Sequence, residues 1–149
     1  MTLAEAVLSV MLSLAPPSQA RAIPTHEETV EARTKRYEAI AADIAAVGKD
    51  REGAALIFAV AFHEGGFAHD LDEGQHCYRG AGYERRCDSG RAVCAMQLQL
   101  PRKQAEEARK SRRVCFALGL AAIRRSLATC ASNTPPHRFA GLSGSCKRG

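Results

Sequence analysis

The sequence predicts a single, mainly α-helical domain with a central buried helix and a loop held by disulfide bonds. The central helix is predicted from residues 54 to 62, AALIFAVAF, which carry no charged or polar side chain and are too few to span a bilayer. The disulfide-held loop is predicted from six cysteines, all of which follow this helix. A length of 149 residues suits one domain with one core.

Composition and charge exclude several classes of protein. Hydrophobic residues make up 46% of the chain and charged residues 25%, which argues against disorder and against a fibrous protein. The net charge of +5 is unevenly distributed, because residues 101 to 149 contain eleven Lys or Arg and two Glu, whereas the first hundred residues have a net charge of −4. The basic half favours an anionic partner, either bacterial cell wall or nucleic acid.

Residues 1 to 23 are predicted to form an N-terminal helix or extension that precedes a core of residues 24 to 146. Thr2 and Glu5 have the spacing of a capping box, and apolar residues continue from there to a pair of prolines. A secretory signal is the competing interpretation, since residues 20 to 22, Ala-Arg-Ala, resemble a cleavage site. No positively charged segment precedes the apolar residues, so we expect an ordered helix and export by another route.

Two helices are predicted for the middle of the chain. A second capping box at residues 25 to 28 begins a helix that ends at Gly48, and Asp50 caps the central helix of residues 51 to 64. The central helix is apolar nearly all round, which predicts that other helices surround it. The helix before it is amphipathic and directs these residues to one side: Val30, Tyr37, Ile40, Ala41, Ile44 and Val47.

Beyond the central helix, regular structure is predicted to be sparse until the C-terminal third. Residues 65 to 93 lack apolar periodicity, so we expect a long functional loop with a short hairpin around residues 80 to 83. A short helix is expected up to Leu100, then an exposed basic stretch over residues 102 to 113, and a last helix over residues 114 to 129. The buried candidates of that last helix are Cys115, Leu118, Ala122 and Leu127, and its outer residues are Arg124 and Arg125.

The cysteines predict a disulfide framework, because their number is even and they lie in the loop-rich part of the chain. Closeness in sequence favours pairing Cys77 with Cys87, Cys94 with Cys115, and Cys130 with Cys146. The chain contains no Cys-x-x-Cys pair, so a structural zinc site has little support. Disulfide bonds indicate an oxidising compartment, and we expect a periplasmic, secreted or phage-associated protein.

Glu64 is the first candidate for chemistry, because it ends the apolar helix and is followed by two glycines. We expect its carboxyl group to lie against apolar walls, where the charged form is disfavoured and a proton is retained for general acid catalysis. The alternative is a carboxylate that only caps a helix end or forms an ion pair there.

Two segments around this residue resemble a known family. Residues 63 to 67, His-Glu-Gly-Gly-Phe, resemble the His-Glu-Ser-Gly-Phe segment of goose-type lysozymes and soluble lytic transglycosylases, and residues 94 to 98, Cys-Ala-Met-Gln-Leu, resemble their Gly-Leu-Met-Gln-Ile segment. The resemblance covers roughly residues 37 to 146. It departs from the family pattern at Gly65, where Ser is usual, at the first two residues of the second segment, and near the C-terminus, where residues 139 to 144 replace a Tyr-Asn pair.

The resemblance implies a lysozyme-like fold and an activity on peptidoglycan. The bond cleaved would be the β-1,4 linkage between N-acetylmuramic acid and N-acetylglucosamine, by a lytic transglycosylase or a lysozyme. The resemblance implies Glu64 as catalytic acid and base, and it places Gln97 and Met96 at the sugar-binding cleft. Phe139, which begins the stretch that replaces the Tyr-Asn pair, is a further candidate for a sugar contact. The expected partners are the peptidoglycan glycan strand and anionic cell-wall polymers, and we expect a monomer that needs no cofactor.

Hydrolysis of a glycosidic bond ordinarily needs a second carboxyl group. Asp88 is the candidate, because a disulfide-held loop could place it over the cleft, whereas Asp70 and Asp72 are more typical of turn-stabilising contacts. Transglycosylases dispense with the second carboxyl, because a hydroxyl group of the substrate attacks the sugar carbon. The sequence leaves open whether water or that hydroxyl is the acceptor.

Two other functions compete with glycosidic cleavage. A metal site is one, because potential ligands crowd into residues 63 to 76, among them His63, Glu64, His69, Asp70, Asp72 and His76. Their spacing matches neither His-Glu-x-x-His nor an EF-hand, so we expect no metal. The other is a non-catalytic basic module that binds cell-wall polymer or nucleic acid. The basic half has only Phe116 and Phe139 to stack on bases and no helix-turn-helix or zinc-finger signature, so we expect no stable nucleic-acid partner.

Overall fold

The computed structural model describes residues 1–19, 28–73 and 92–130. In these ranges the chain is mainly helical, as predicted, with one small antiparallel sheet. The elements are α1 (Leu3–Leu14), a 3₁₀ turn (Pro17–Gln19), α2 (Val30–Gly48), α3 (Arg51–Gly65), α4 (His69–Asp72), β1 (Ala92–Val93), β2 (Leu98–Gln99), α5 (Arg102–Lys110) and α6 (Arg112–Thr129). None of these helices has the length and apolar character needed to cross a membrane.

The N-terminal helix is confirmed, including its capping box. The Thr2 hydroxyl accepts a hydrogen bond from the Glu5 amide at 3.2 Å, and the Glu5 carboxylate accepts one from the Thr2 amide at 2.7 Å. α1 packs against α2 and buries Val7 and Met11 between them. Both residues belong to the hydrophobic core.

α2 begins later than the capping pattern at residues 25 to 28 predicts. Its first helical residue is Val30, and the Thr29 hydroxyl accepts a hydrogen bond from the Ala32 amide at 3.1 Å. Most of the predicted core face is confirmed, with these residues buried: Tyr37, Ile40, Ala41 and Ile44. Val30 is exposed, because it lies in the first turn, before the face that packs on α1 and α3.

α3 follows α2 and is capped by Asp50, whose carboxylate accepts a hydrogen bond from the Gly53 amide at 2.8 Å. It contacts α1, α2 and α6. The prediction that helices surround it on all sides is wrong, since Ala55, Ala59 and His63 form an exposed stripe at a spacing of four residues. Alanine exposes little apolar area, so a helix with this all-apolar sequence can leave one face exposed to solvent.

Of the segment predicted as a loop, residues 66 to 73, directly after α3, contain a helical turn that the sequence does not predict. One helical turn, α4, occupies residues 69 to 72, and Asp70 and Leu71 in it are buried. A single turn is too short to produce apolar periodicity, which explains why the sequence pattern did not reveal it. The hairpin expected around residues 80 to 83 lies outside the described residues.

The short helix expected before Leu100 is replaced by a turn between two strands. β1 and β2 pair antiparallel, with Ala92 opposite Gln99 and Val93 opposite Leu98. Cys94 and Gln97, at the two ends of the turn, have φ angles of 59° and 49°. A right-handed helix requires negative φ at each residue, so the prediction of a helix here is wrong.

The basic stretch after Pro101 is a helix, α5, that buries only Ala105 and Ala108. α6 begins at Arg112, two residues before the predicted start, because the Ser111 hydroxyl accepts a hydrogen bond from the Val114 amide at 3.3 Å. Arg124 and Arg125 are exposed as predicted, while Cys115 is buried and the other three predicted core residues are only partly buried. The residues of α6 that α2, α3 and the β1–β2 turn cover are Cys115, Phe116, Gly119, Leu120, Ile123 and Ser126.

An ion-pair network joins α6 to α4 and α2. Arg112 donates two hydrogen bonds to the Asp72 carboxylate, at 2.6 Å and 2.8 Å, and a third to Asp43 at 2.8 Å. The Asp72 side chain is 3% exposed and that of Arg112 is 21% exposed. Hydrogen bonding to Asp72 raises the pKa of Arg112, against the opposite effect of burial, so the guanidinium remains charged.

The network predicts unequal effects of two neighbouring arginines on stability. Arg112→Met should lower the free energy of unfolding by about 3 kcal/mol, because it leaves the buried Asp72 carboxylate without its bidentate partner. Arg113→Met is the matched control, since Arg113 also pairs with Asp43 but is 64% exposed, and its loss should cost at most about 1 kcal/mol. Urea unfolding measures both, and equal losses would contradict the structural role given to Arg112.

Candidate active site

Glu64 lies in the last turn of α3, and its side chain is exposed. The buried positions of this half of the helix are Ile57, Ala61 and Gly65, which recur every four residues. Glu64 is outside that stripe, so the predicted burial of its carboxyl group against apolar walls is wrong. The site instead presents a carboxyl group at the helix end, where a ligand in solution can reach it.

The chain turns sharply after Glu64. Gly66 adopts the left-handed conformation that ends many helices, and its amide donates to the Phe62 carbonyl at 2.9 Å. Phe67 also has a positive φ, 55°, which is uncommon for a bulky residue. Its buried ring packs against those of Phe58 and Tyr37, with centroids 5.3 Å and 6.1 Å away. These contacts hold the chain in a conformation that it would otherwise avoid.

The second motif forms the turn between β1 and β2. The backbone amide and the side-chain amide of Gln97 both donate to the Cys94 carbonyl, each at 2.9 Å. Cys94 is disulfide-bonded to Cys115 of α6, which confirms the predicted pairing. Gln97 is partly exposed, so its side chain is oriented by the turn and remains accessible.

The two motifs meet at Gly65. A Cβ atom added to Gly65 would lie 3.4 Å from the carbonyl oxygen of Ala95 and 2.8 Å from Cδ1 of Leu71. A larger residue at this position, such as the Ser of the resembled family, would have to displace the end of the buried Leu71 side chain. The residue that directly follows Glu64 is therefore packed against the turn that ends at Gln97.

Met96 has a different place from the one predicted. Its side chain is 2% exposed and lies over Gly119 of α6, where an added Cβ atom would overlap the Met96 sulfur. Met96 therefore fixes the turn against α6 through packing, and within the described residues Gln97 is the predicted sugar contact that is accessible.

The other acidic candidates divide into described and undescribed residues. Asp72 forms an ion pair with Arg112 in place of the turn-stabilising contact that the sequence predicts, and Asp70 is buried in α4. His69, Asp70 and Glu73 place one ligand atom each within 4.8 Å of one another, and these three residues could hold a cation. Asp88, Phe139 and three cysteines, Cys77, Cys87 and Cys146, lie outside the described residues, and Cys130 is disulfide-bonded.

One residue that contacts this site was not predicted from the sequence. Arg36 of α2 donates a 2.8 Å hydrogen bond to the Phe67 carbonyl, three residues after Glu64. No local pattern indicates this contact, because 31 residues separate donor and acceptor. The only signal in the sequence is a positive charge beside the buried Tyr37.

The Cys94–Cys115 bond yields a prediction about stability. Replacing both cysteines by Ser should lower the free energy of unfolding by about 3 kcal/mol, because the bond closes a loop across a separation of 21 residues in the unfolded chain. Urea unfolding of the double variant measures the loss. Alkylation of the protein without substitutions, unfolded in the absence of a reductant, should label neither cysteine. Labelling of either one would disprove the pairing.

No family model, curated protein or solved structure matches this chain. The family resemblance therefore rests on the two motifs of the sequence, at residues 63 to 67 and 94 to 98.

Proposed function

We propose that this protein cleaves the β-1,4 bond between N-acetylmuramic acid and N-acetylglucosamine in peptidoglycan, with Glu64 as general acid and base. The observation that carries the proposal is the close approach of Gly65 to Ala95, since a Cβ atom at position 65 would lie 3.4 Å from the Ala95 carbonyl oxygen. The segment that bears Glu64 therefore lies beside the segment that bears Gln97. These are the two segments that resemble goose-type lysozymes and lytic transglycosylases. We infer that the exposed carboxyl group of Glu64 and the side-chain amide of Gln97 contact the same glycan strand.

The exposure of Glu64 is compatible with acid catalysis. A glycan strand that covers the end of α3 would remove water from the carboxyl group and favour its neutral form. The neutral acid then donates its proton to the leaving oxygen, and the resulting carboxylate accepts a proton from the attacking hydroxyl. The low-dielectric environment that the sequence predicts for the free protein would arise only when substrate is bound.

The conformation of the surrounding backbone also supports the proposal. Phe67, Cys94 and Gln97 are not glycine and have positive φ, and all three lie within the two motifs or at their ends. Such conformations cost free energy and cluster at functional sites, where the surrounding structure holds them. A fourth such residue, Lys49, ends α2 and has the ordinary role of a helix cap.

A single-carboxylate mechanism agrees best with the described residues. Both carboxylate oxygens of Asp72 accept hydrogen bonds from Arg112, and the side chain is 3% exposed. Asp72 is therefore unsuited to act as nucleophile or base. A lytic transglycosylase needs Glu64 alone, because a hydroxyl group of the substrate is the acceptor. A lysozyme would need Asp88, the candidate second carboxylate, at the cleft.

Glu64→Gln should leave the protein folded and lower the cleavage of peptidoglycan by roughly a hundredfold or more, because the amide cannot donate the proton. Glu52→Gln is the matched control, since Glu52 is an exposed Glu in the first turn of the same helix. Loss of turbidity in a cell-wall suspension measures the rate, and mass spectrometry of the products distinguishes anhydro ends from reducing ends. Cleavage by the Glu64→Gln protein at the native rate would remove Glu64 from the mechanism.

A basic binding surface is the second candidate function, and it is compatible with the first. α5 and α6 expose Lys103, Lys110, Arg124 and Arg125, which would attract the anionic polymers of a cell wall. Arg112 is not part of this surface, because it pairs with two aspartates inside the fold. The Cys94–Cys115 disulfide supports the related proposal that the protein acts in an oxidising compartment, where it would meet such polymers.

Changing these four exposed residues to Gln should weaken binding to cell walls at low salt and leave turnover of a short, soluble glycan nearly unchanged, since long-range attraction is screened by salt. Sedimentation with cell walls across a salt series measures binding. If the variant loses turnover of the soluble glycan to the same degree, these residues belong to the catalytic site. If binding persists in Glu64→Gln while no cleavage is found in the native protein, the chain is a binding module.

A further inference from the structure

Arg36 connects α2 to the turn that follows α3. Its Nη1 donates to the Phe67 carbonyl at 2.8 Å, while Nε and Nη2 donate to the two carboxylate oxygens of Glu28 at 2.8 Å and 2.9 Å. The side chain is 11% exposed, and Nη1 lies 3.7 Å from the Asp72 carboxylate. A bidentate partner orients the guanidinium plane, so the third hydrogen bond has a defined direction.

The carbonyl that Arg36 holds belongs to a strained residue. Phe67 has φ of 55°, a conformation that a bulky L-residue rarely adopts and that persists only where several contacts impose it. The aromatic rings around Phe67 fix its side chain, whereas the hydrogen bond from Arg36 fixes the peptide that leads to Ala68. The Ala68 amide donates back to the Gly65 carbonyl at 3.0 Å, which closes the turn beside Glu64.

Glu28 is a charged anchor shared by two arginines. Burial raises the pKa of Glu28, but hydrogen bonds and charge from Arg36, with Arg33 adding to them, outweigh burial and lower it overall. Arg33 lies in the same helix as Arg36 and also pairs with Glu28. Its side chain has a similar exposure, 16%. The two arginines differ in the carbonyl group to which they donate. Nη1 of Arg33 donates a 2.6 Å hydrogen bond to the carbonyl of Pro17, which follows α1.

We propose that Arg36 is a positioning residue for Glu64: by holding the Phe67 carbonyl it keeps the end of α3 seated against the Ala95 turn. The effect on the backbone is independent of what the site does. The effect on catalysis rests on the proposed function, in which Glu64 donates the proton.

Hydrogen exchange tests the effect on the backbone. In Arg36→Gln, amides of the turn, such as those of Gly66 and Ala68, should exchange about tenfold faster or more, since the local opening of the turn becomes easier. Arg33→Gln is the matched control, because it removes the other partner of Glu28 and should instead affect the segment after α1. Equal acceleration of the turn in both variants, or none in Arg36→Gln, would overturn the proposal.

Kinetics test the effect on catalysis. Arg36→Gln should lower kcat for a soluble glycan by about tenfold or more with little change in KM, because misplacing the acid affects the transition state more than binding. Arg36→Lys should recover part of kcat, since one donor is retained, and Arg33→Gln should remain near the native value. Faster exchange of the turn with unchanged kcat would disprove the positioning role, whereas full activity of Glu64→Gln would disprove the proposed function and leave the exchange result intact.

Discussion

The close approach of Gly65 to the Ala95 carbonyl is the constraint on which the candidate site depends, because it places side by side two segments that lie thirty residues apart in sequence. Each side of the contact is fixed by separate means. The Ala95 side is held by the Cys94–Cys115 disulfide and by Met96, which fits over Gly119. The Gly65 side is held by the packing of α3 and by the aromatic cluster around Phe67. These contacts fix the backbone on both sides of the approach, including the turn that follows Glu64.

The polar contacts around this constraint are largely buried. Arg36 and Arg112 approach the carboxylate of Asp72 from α2 and α6, while Glu28 and Asp43 hold the same two arginines from the other side. Buried ion pairs contribute little net stability, because desolvation of the charges offsets their attraction. Their benefit is geometric, since bidentate hydrogen bonds fix both distance and direction. We therefore interpret this network as the means by which α2, α4 and α6 are kept in register around the end of α3.

Exposure of Glu64 changes the physical account of how it would act. An acid that is already desolvated in the free protein retains its proton through its surroundings, at a cost in folding stability. An exposed acid incurs that cost only when substrate displaces water, so part of the binding free energy is used to prepare the catalyst. Under the proposed function, the basic surface of α5 and α6 would attract an anionic wall and so raise the local concentration of glycan. Neither property requires a cofactor.

Features that depend on neighbouring residues were determined by the sequence itself. The capping box of Thr2 and Glu5, the core face of α2 and the Asp50 cap of α3 all follow from side chains within a few positions of one another, and so were predictable. The Cys94–Cys115 pairing was predictable from closeness in sequence. Tertiary structure alone decided the exposure of Glu64, the positive φ angles of Phe67 and Gln97, and the contact of Arg36 with the Phe67 carbonyl. A strained backbone conformation and the burial of a charged group are imposed by residues that are distant in the sequence. Local sequence preferences do not depend on those residues and so could not predict either feature.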